Sequence, residues 1–197
     1  MANVFDDILM RGIRSGKMPA RNAESREWFR TQARQFGQVK PHTLIKSSPS
    51  KITQELMMGQ MFLYAYDAKH KDTLPYYDQF PLVFPFESFK GGFIGMNLHY
   101  LPYKQRAMLM DALYNLTNNK KYDQSTKLRL SYEILSKAAT SKWFQPTVHK
   151  YLYSQLRSRY LLIDSVEWDM AMMLPLHKFV GASATKVWSD SRKKMKK

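Results

Sequence analysis

Five histidines, His42, His70, His99, His149 and His177, are the first residues that could hold a metal. None forms an HxH or HxxxH pair, the spacings that bring two imidazoles to one side of a strand or helix. Cysteine is absent, so there is no thiolate ligand, thiol nucleophile or disulfide. Asp78, Glu87 and Lys90 follow the acid-then-lysine order of a metal-dependent nuclease, whose carboxylates must converge on one divalent cation. Glu87 and Lys90 are separated by two residues, which puts them on opposite faces of a strand. They read instead as a turn acid and two hairpin-end charges. Asp164, Glu167 and Asp169 form the one acidic cluster; no base lies near it in sequence, and helix capping is the expected role. No GxSxG, GxxxxGK[ST] or GxGxxG motif is present. No catalytic residue, metal or other cofactor is therefore expected.

Charge is the stronger signal. The 197 residues carry a net charge of +15. It is segregated: +5 over 1–59, zero over 60–119, +7 over 120–160, −2 over 161–185 and +5 over 186–197. A segregated basic surface attracts a polyanion, with counterion release supplying affinity. A solubilising face is the other reading. The basic candidates for phosphate contact are Lys120, Lys121, Lys127, Arg129, Lys137 and Lys142, then Lys150, Arg157 and Arg159, and in the C-terminal tail Arg192, Lys193 and Lys194. Trp143, Tyr151 and Tyr153 lie among them and could stack on an unpaired base or a terminal pair, or pack internally. No sequence-reading nucleic-acid motif is present, so any contact is expected to the backbone or to an end.

The elements that must position these residues divide into an N-terminal helical arm and linker over 1–50, a core domain over 51–185, and a basic tail over 186–197. Apolar spacing predicts helices over 2–14 and 24–36. On the second, Arg26, Arg30 and Arg34 repeat every four residues, either to grip phosphates or as a solvated stripe. Residues 37–50 read as a linker from their Gly, Pro and Ser, and 52–58 as one or two helical turns ending at Gly59. Strands are expected over 61–67, 82–86, 93–100 and 159–166, with Lys90-Gly91-Gly92 turning a hairpin. Pro81 and Pro85 suit an edge or a bulge. Helices follow over 103–117, with Pro102 at its start, over 126–139, capped by Ser125, and over 146–158. Residues 167–180 fit helix or strand. No apolar run approaches the roughly 18 residues of a membrane span, so no membrane partner is expected. The fold class is α+β: a small antiparallel sheet, an SH3-like partial barrel, with helices packed around it.

Three segments carry a family resemblance: MFLYAYDAKHKDTLPYYDQFPLVFPF, GGFIGMNLHYLPYKQRAMLMDALYNL and KYDQSTKLRLSYEIL. With WDMAMMLP and KVWSDSRK, they resemble the DNA end protector, or DNA terminal protein, family of T4-like tailed phages. The resemblance implies a non-enzymatic virion protein that caps the ends of packaged linear double-stranded DNA. It would shield those ends from a host exonuclease and seal the filled head at the neck. It implies DNA ends and other head, neck or tail proteins as partners, no small-molecule substrate, and residence in the virion and in the host cytoplasm during assembly and after injection. A structural neck, baseplate or tail component of such a phage is the alternative. The resemblance assigns no site residue.

Overall fold

The computed structural model describes residues 4–18, 22–37, 39–117 and 121–196. Three helices come first: α1 (Val4–Arg14), α2 (Ala23–Gln35) and α3 (Pro41–Ser47). The strands are β1 (Ile52–Thr53), β2 (Met61–Leu63), β3 (Tyr77–Asp78), β4 (Leu82–Phe89), β5 (Gly92–Asn97), β6 (Val148–Leu152), β7 (Tyr160–Ile163) and β8 (Phe179–Val180). Between them lie α4 (Tyr103–Thr117), α5 (Gln124–Thr140) and α6 (Trp168–Ala171), and α7 (Ala184–Lys196) follows. The fold is α+β. Six strands form one antiparallel sheet in the order β1-β7-β2-β4-β5-β6, and β3 pairs with β8 in a second. The larger sheet ends at β1 and β6, so it is an open sheet and not a closed barrel.

Both faces of that sheet are covered, and alternation along each strand divides them. Met61, Leu63, Leu82, Phe84, Leu161 and Ile163 join an aliphatic and methionine core packed with helices. Phe5, Ile8, Phe29, Ala33, Leu44 and Ile45 of α1–α3 belong to this same core. Phe62, Tyr64, Val83, Phe93, Tyr151 and Tyr160 face the other way into an aromatic cluster. Tyr64 is its centre, with edge-on contacts to Tyr66, Tyr151 and Tyr160 at ring-centroid distances of 6.3, 5.7 and 5.3 Å.

Several expectations need correction. β4 is central, not an edge; Pro85 is tolerated there because the β4–β5 register shifts between Pro85 and Glu87, a bulge that spares the missing N–H. Opposite it, Gly95 leaves room for a side chain of the paired strand: a Cβ there would lie 2.3 Å from Val83 Cγ1. The helix expected over 146–158 is a 3-10 turn (Gln145–Thr147), strand β6 and a second 3-10 turn (Tyr153–Gln155). Val148, Leu152 and Leu156 fit a helical period, but pairing of 148–152 with β5 decides the outcome. Residues 52–58 hold β1 and irregular chain, because Ile52 and Thr53 pair with Leu161 and Tyr160. Within the expected linker, Pro41 opens α3, which buries Leu44 and Ile45. The cap of α5 is Asp123, not Ser125: Asp123 Oδ1 accepts from the Thr126 N–H at 2.7 Å. The stretch 186–196, expected as a basic tail, is the body of α7, with Val187, Ser191 and Met195 buried at four-residue spacing. Pro102 stands one residue before α4, and its carbonyl accepts from the Gln105 and Arg106 N–H groups.

Candidate nucleic-acid interface

Helix α7 packs against the turn at 145–147 and the turn at 98–100, and the Trp188 indole N–H donates to the His99 carbonyl at 2.8 Å. The 145–147 turn leads directly into β6, the edge of the sheet. This packing brings Lys194 of α7 and Lys150 of β6 to the rim of one cavity of about 540 Å³. Tyr66, Tyr77, Tyr100 and Tyr151 line its depth, each at most 8% exposed. Tyr76 and Phe89 form half-buried walls, and Lys69 and His70 add exposed positive or polar groups. The tyrosines are held from behind. Leu152 N–H donates to Tyr66 Oη at 3.2 Å, and Tyr77 Oη donates to Asp67 at 3.0 Å.

Asp78 sits beneath this cavity and is 3% exposed. Its Oδ1 accepts from the backbone N–H groups of Phe80 and Lys178, and its Oδ2 accepts from Asn97 Nδ2 at 3.2 Å. Oδ2 also meets His99 Nδ1 at 2.7 Å. Burial alone would raise the Asp78 pKa, but His99 and the N–H donors outweigh it and lower it. Burial lowers the pKa of His99, so its neutral ring donates Nδ1–H to the carboxylate. The carboxylate expected as a turn acid is thus the hub of a buried polar network. Burial pushes His149, chiefly, and His177 likewise down to about 4, with Lys194 adding to the effect at His149. At neutral pH these are uncharged rings. His149 lies 4.1 Å from the Tyr100 ring, centroid to centroid.

Arg106, unremarked in the sequence, is fully buried. It donates to the carbonyls of Leu101 (2.7 Å), Met172 (2.7 Å) and His99 (3.3 Å), which ties α4 to the turn at 98–100 and to the chain after α6. Burial pushes its pKa down to about 10, so it stays charged at neutral pH. A lone arginine in an otherwise plausible surface position of α4 gives no sequence signal of this role.

The sequence-derived basic candidates are dispersed. Lys150 and Lys194 share the cavity rim, with Arg192 and Lys193 exposed on the same helix as Lys194. Lys142 and Trp143 are exposed between α5 and the 145–147 turn, and Trp143 is 61% exposed. Arg157 is exposed and reaches Asp67 at 3.4 Å, the same carboxylate that holds Tyr77. Arg159 is exposed just before β7. Lys127, Arg129 and Lys137 lie on α5, which packs through Leu135 into the aliphatic core, on the sheet face opposite the aromatic cluster. Arg129 there pairs with Glu133. Lys121 is exposed ahead of α5 and Lys120 lies outside the described residues.

The arginine stripe of α2 is neither a phosphate grip nor a solvated face at two of its three positions. Arg26 and Arg30 are each 5% exposed and converge on Asp169 at 2.7 and 2.6 Å, with Asp111 beside them. Asp169 is therefore an ion-pair partner and not a cap, whereas Asp164 and Glu167 form the expected capping box. Among the described residues no group of three or more His, Asp or Glu is placed to hold a metal. No helix among them is long and apolar enough to cross a membrane.

A family model described as the phage T4 terminal DNA protecting protein matches residues 1–192. The chain belongs to that family. No curated protein and no solved structure matches it. Membership in the terminal DNA protecting family places the chain in a phage setting and makes DNA-end protection its general role. The basic and aromatic surface around β6 and α7 has chemistry compatible with that role. Lys150 and Lys194 are two of the twelve basic candidates read from charge, and none of the other described ones lines this cavity. The cavity tyrosines at 66, 76, 77 and 100 read as scaffold in the sequence; their density in one stretch is the signal of an aromatic lining.

Proposed function

We propose that this protein protects DNA by occupancy: it binds the ends of packaged linear double-stranded DNA and denies them to an end-entering exonuclease, catalysing no reaction itself. The observation that carries this reading is the shared cavity rim. Lys150 from the sheet edge and Lys194 from the last helix stand together above four buried tyrosines. Lysines neutralise terminal phosphates, and the half-buried Tyr76 at the cavity offers a stacking face to an exposed terminal base, which the interior of a duplex does not present. Lys121, Lys127, Arg129, Lys137, Lys142, Arg157, Arg159, Arg192 and Lys193, dispersed over the rest of the surface, supply weaker, more distant attraction. Asp78 supports a non-catalytic reading, since its oxygens are already engaged by four internal donors. In the particle, the bound protein closes the filled head at the neck and contacts neighbouring head, neck or tail proteins.

Gel shift with the full chain tests this. Linear DNA and covalently closed circles of the same sequence are compared at two salt concentrations. Linear DNA binds more tightly, and affinity falls with salt by roughly 0.9 log units per tenfold salt for each phosphate neutralised. Lys150→Glu combined with Lys194→Glu reduces that salt slope by about two. Equal affinity for circles and linear molecules would refute end binding.

A further inference from the structure

Lysines and a charged surface would serve any length of duplex. The cavity beneath them would not, because its volume of about 540 Å³ matches sites that enclose one small molecule, roughly 300–1,000 Å³. A base pair with its two backbones is too broad for such a space, but one unstacked nucleotide is not. The lining suits that occupant. Tyr76 and Tyr100 have tilted rings with centroids 6.1 Å apart, and neutral His149, 4.1 Å from Tyr100 centroid to centroid, backs the Tyr100 ring. Bases stack on such faces with little regard for sequence. The exposed cations Lys69, Lys150 and Lys194 stand at the mouth, where the phosphate of an inserted nucleotide would remain.

We propose that this cavity receives the terminal unpaired nucleotide of a DNA end, its base against the tyrosines and its phosphate among the rim lysines. The proposal rests on the end-binding reading above and specifies which end structure that surface takes. An unpaired base is the cheapest to extrude, because no partner has to be broken from it. A duplex interior presents no such base, so the cavity itself distinguishes an end from a continuous strand. Asp78 does not read the base; its bonds to Asn97 and His99 hold the floor in place.

The test uses the full-length protein and hairpin duplexes that have one open end, either blunt or with a one-nucleotide overhang. A stacked base is worth roughly 1–3 kcal/mol, so the overhang binds about 5- to 150-fold more tightly than the blunt end. Tyr76→Ala brings that ratio toward one, whereas Lys194→Glu on the exposed rim weakens binding to both ends alike and leaves the ratio unchanged. If Tyr76→Ala fails to fold by circular dichroism, Tyr76→Leu, which keeps an apolar side chain but removes the ring face, decides. A 2-aminopurine as the overhanging base shows a fluorescence change on binding that the same base placed inside the duplex does not. Equal affinity for overhang and blunt ends, with linear DNA still preferred over circles, overturns this proposal and leaves end binding standing. Loss of the preference over circles overturns both. A free mononucleotide that competes as well as the overhang would make this a soluble-nucleotide site and also overturns it.

Discussion

Asp169→Asn is the substitution whose consequence the structure fixes most tightly. The carboxylate accepts from Arg26 Nε at 2.7 Å and Nη2 at 3.1 Å, and from Arg30 Nε at 2.7 Å. Both guanidinium groups are nearly buried, and Asp169 itself is 13% exposed. Burial works against the charge of Arg30, yet Asp169 and Asp111 outweigh it and raise its pKa. Asparagine removes the charge and half of the acceptor capacity, and leaves two buried cations facing each other. Removing one partner of a buried pair costs roughly 3–5 kcal/mol. Asp111 still accepts from both arginines, at 3.0 and 2.9 Å, but is 56% exposed and so compensates in part. The expected loss is therefore at the lower end, about 3 kcal/mol. Equilibrium urea unfolding reads it: with a slope of about 2–3 kcal/mol/M, the midpoint falls by roughly 1–1.5 M. Because α2 is anchored to α6 through this pair, Arg26→Met with Arg30→Met and Asp169→Leu, which removes all three charges together, recovers most of the loss. A destabilisation below about 1 kcal/mol for Asp169→Asn would refute the assignment. A loss of DNA affinity without loss of stability would return the arginines to a phosphate-binding role.

Two further perturbations follow from the core. Gly95→Ala drives a methyl into Val83 and toward the Phe84 carbonyl at 3.1 Å; it should cost about 1–3 kcal/mol in the same assay, and a neutral result would mean that packing between the paired strands β4 and β5 is looser than described. Acidification should destabilise the fold between about pH 6.5 and pH 4. His149 and His177 are held neutral there by burial, while the unfolded chain binds their protons, so stability rises with pH across that window by about 1.4 kcal/mol per unit for each histidine. Urea midpoints at pH 7 and pH 5 check this, and a flat profile, or no flattening in His149→Gln, would contradict it.

The legible parts of the fold were those where local pattern and tertiary context agree. The apolar spacing of Leu109 and Leu113 gave α4, and Lys90-Gly91-Gly92 gave the hairpin, where Gly91 has φ +91°. The misread parts were those where partners distant in sequence decide. Val148–Leu152 became a strand because β5 offered an edge, and Arg26 and Arg30 became buried because Asp169, far along the chain, meets them. Val187, Ser191 and Met195 were masked by the lysines around them, although their four-residue spacing was present in the sequence. The candidate cavity depends on distant partners in the same way. Charge identifies Lys150 and Lys194 one at a time, but their meeting depends on α7 packing against the turn before β6. The cavity between them exists only in three dimensions.

The most direct measurement of the central claim is resection of linear DNA by an exonuclease that enters at ends, with and without the full-length protein. Protection should saturate at a fixed number of protein molecules per end, be independent of DNA length, and fall sharply in Lys150→Glu with Lys194→Glu. A requirement for protein that grows in proportion to DNA length, or ends resected at the unprotected rate under saturating protein, would contradict protection by occupancy of the terminus.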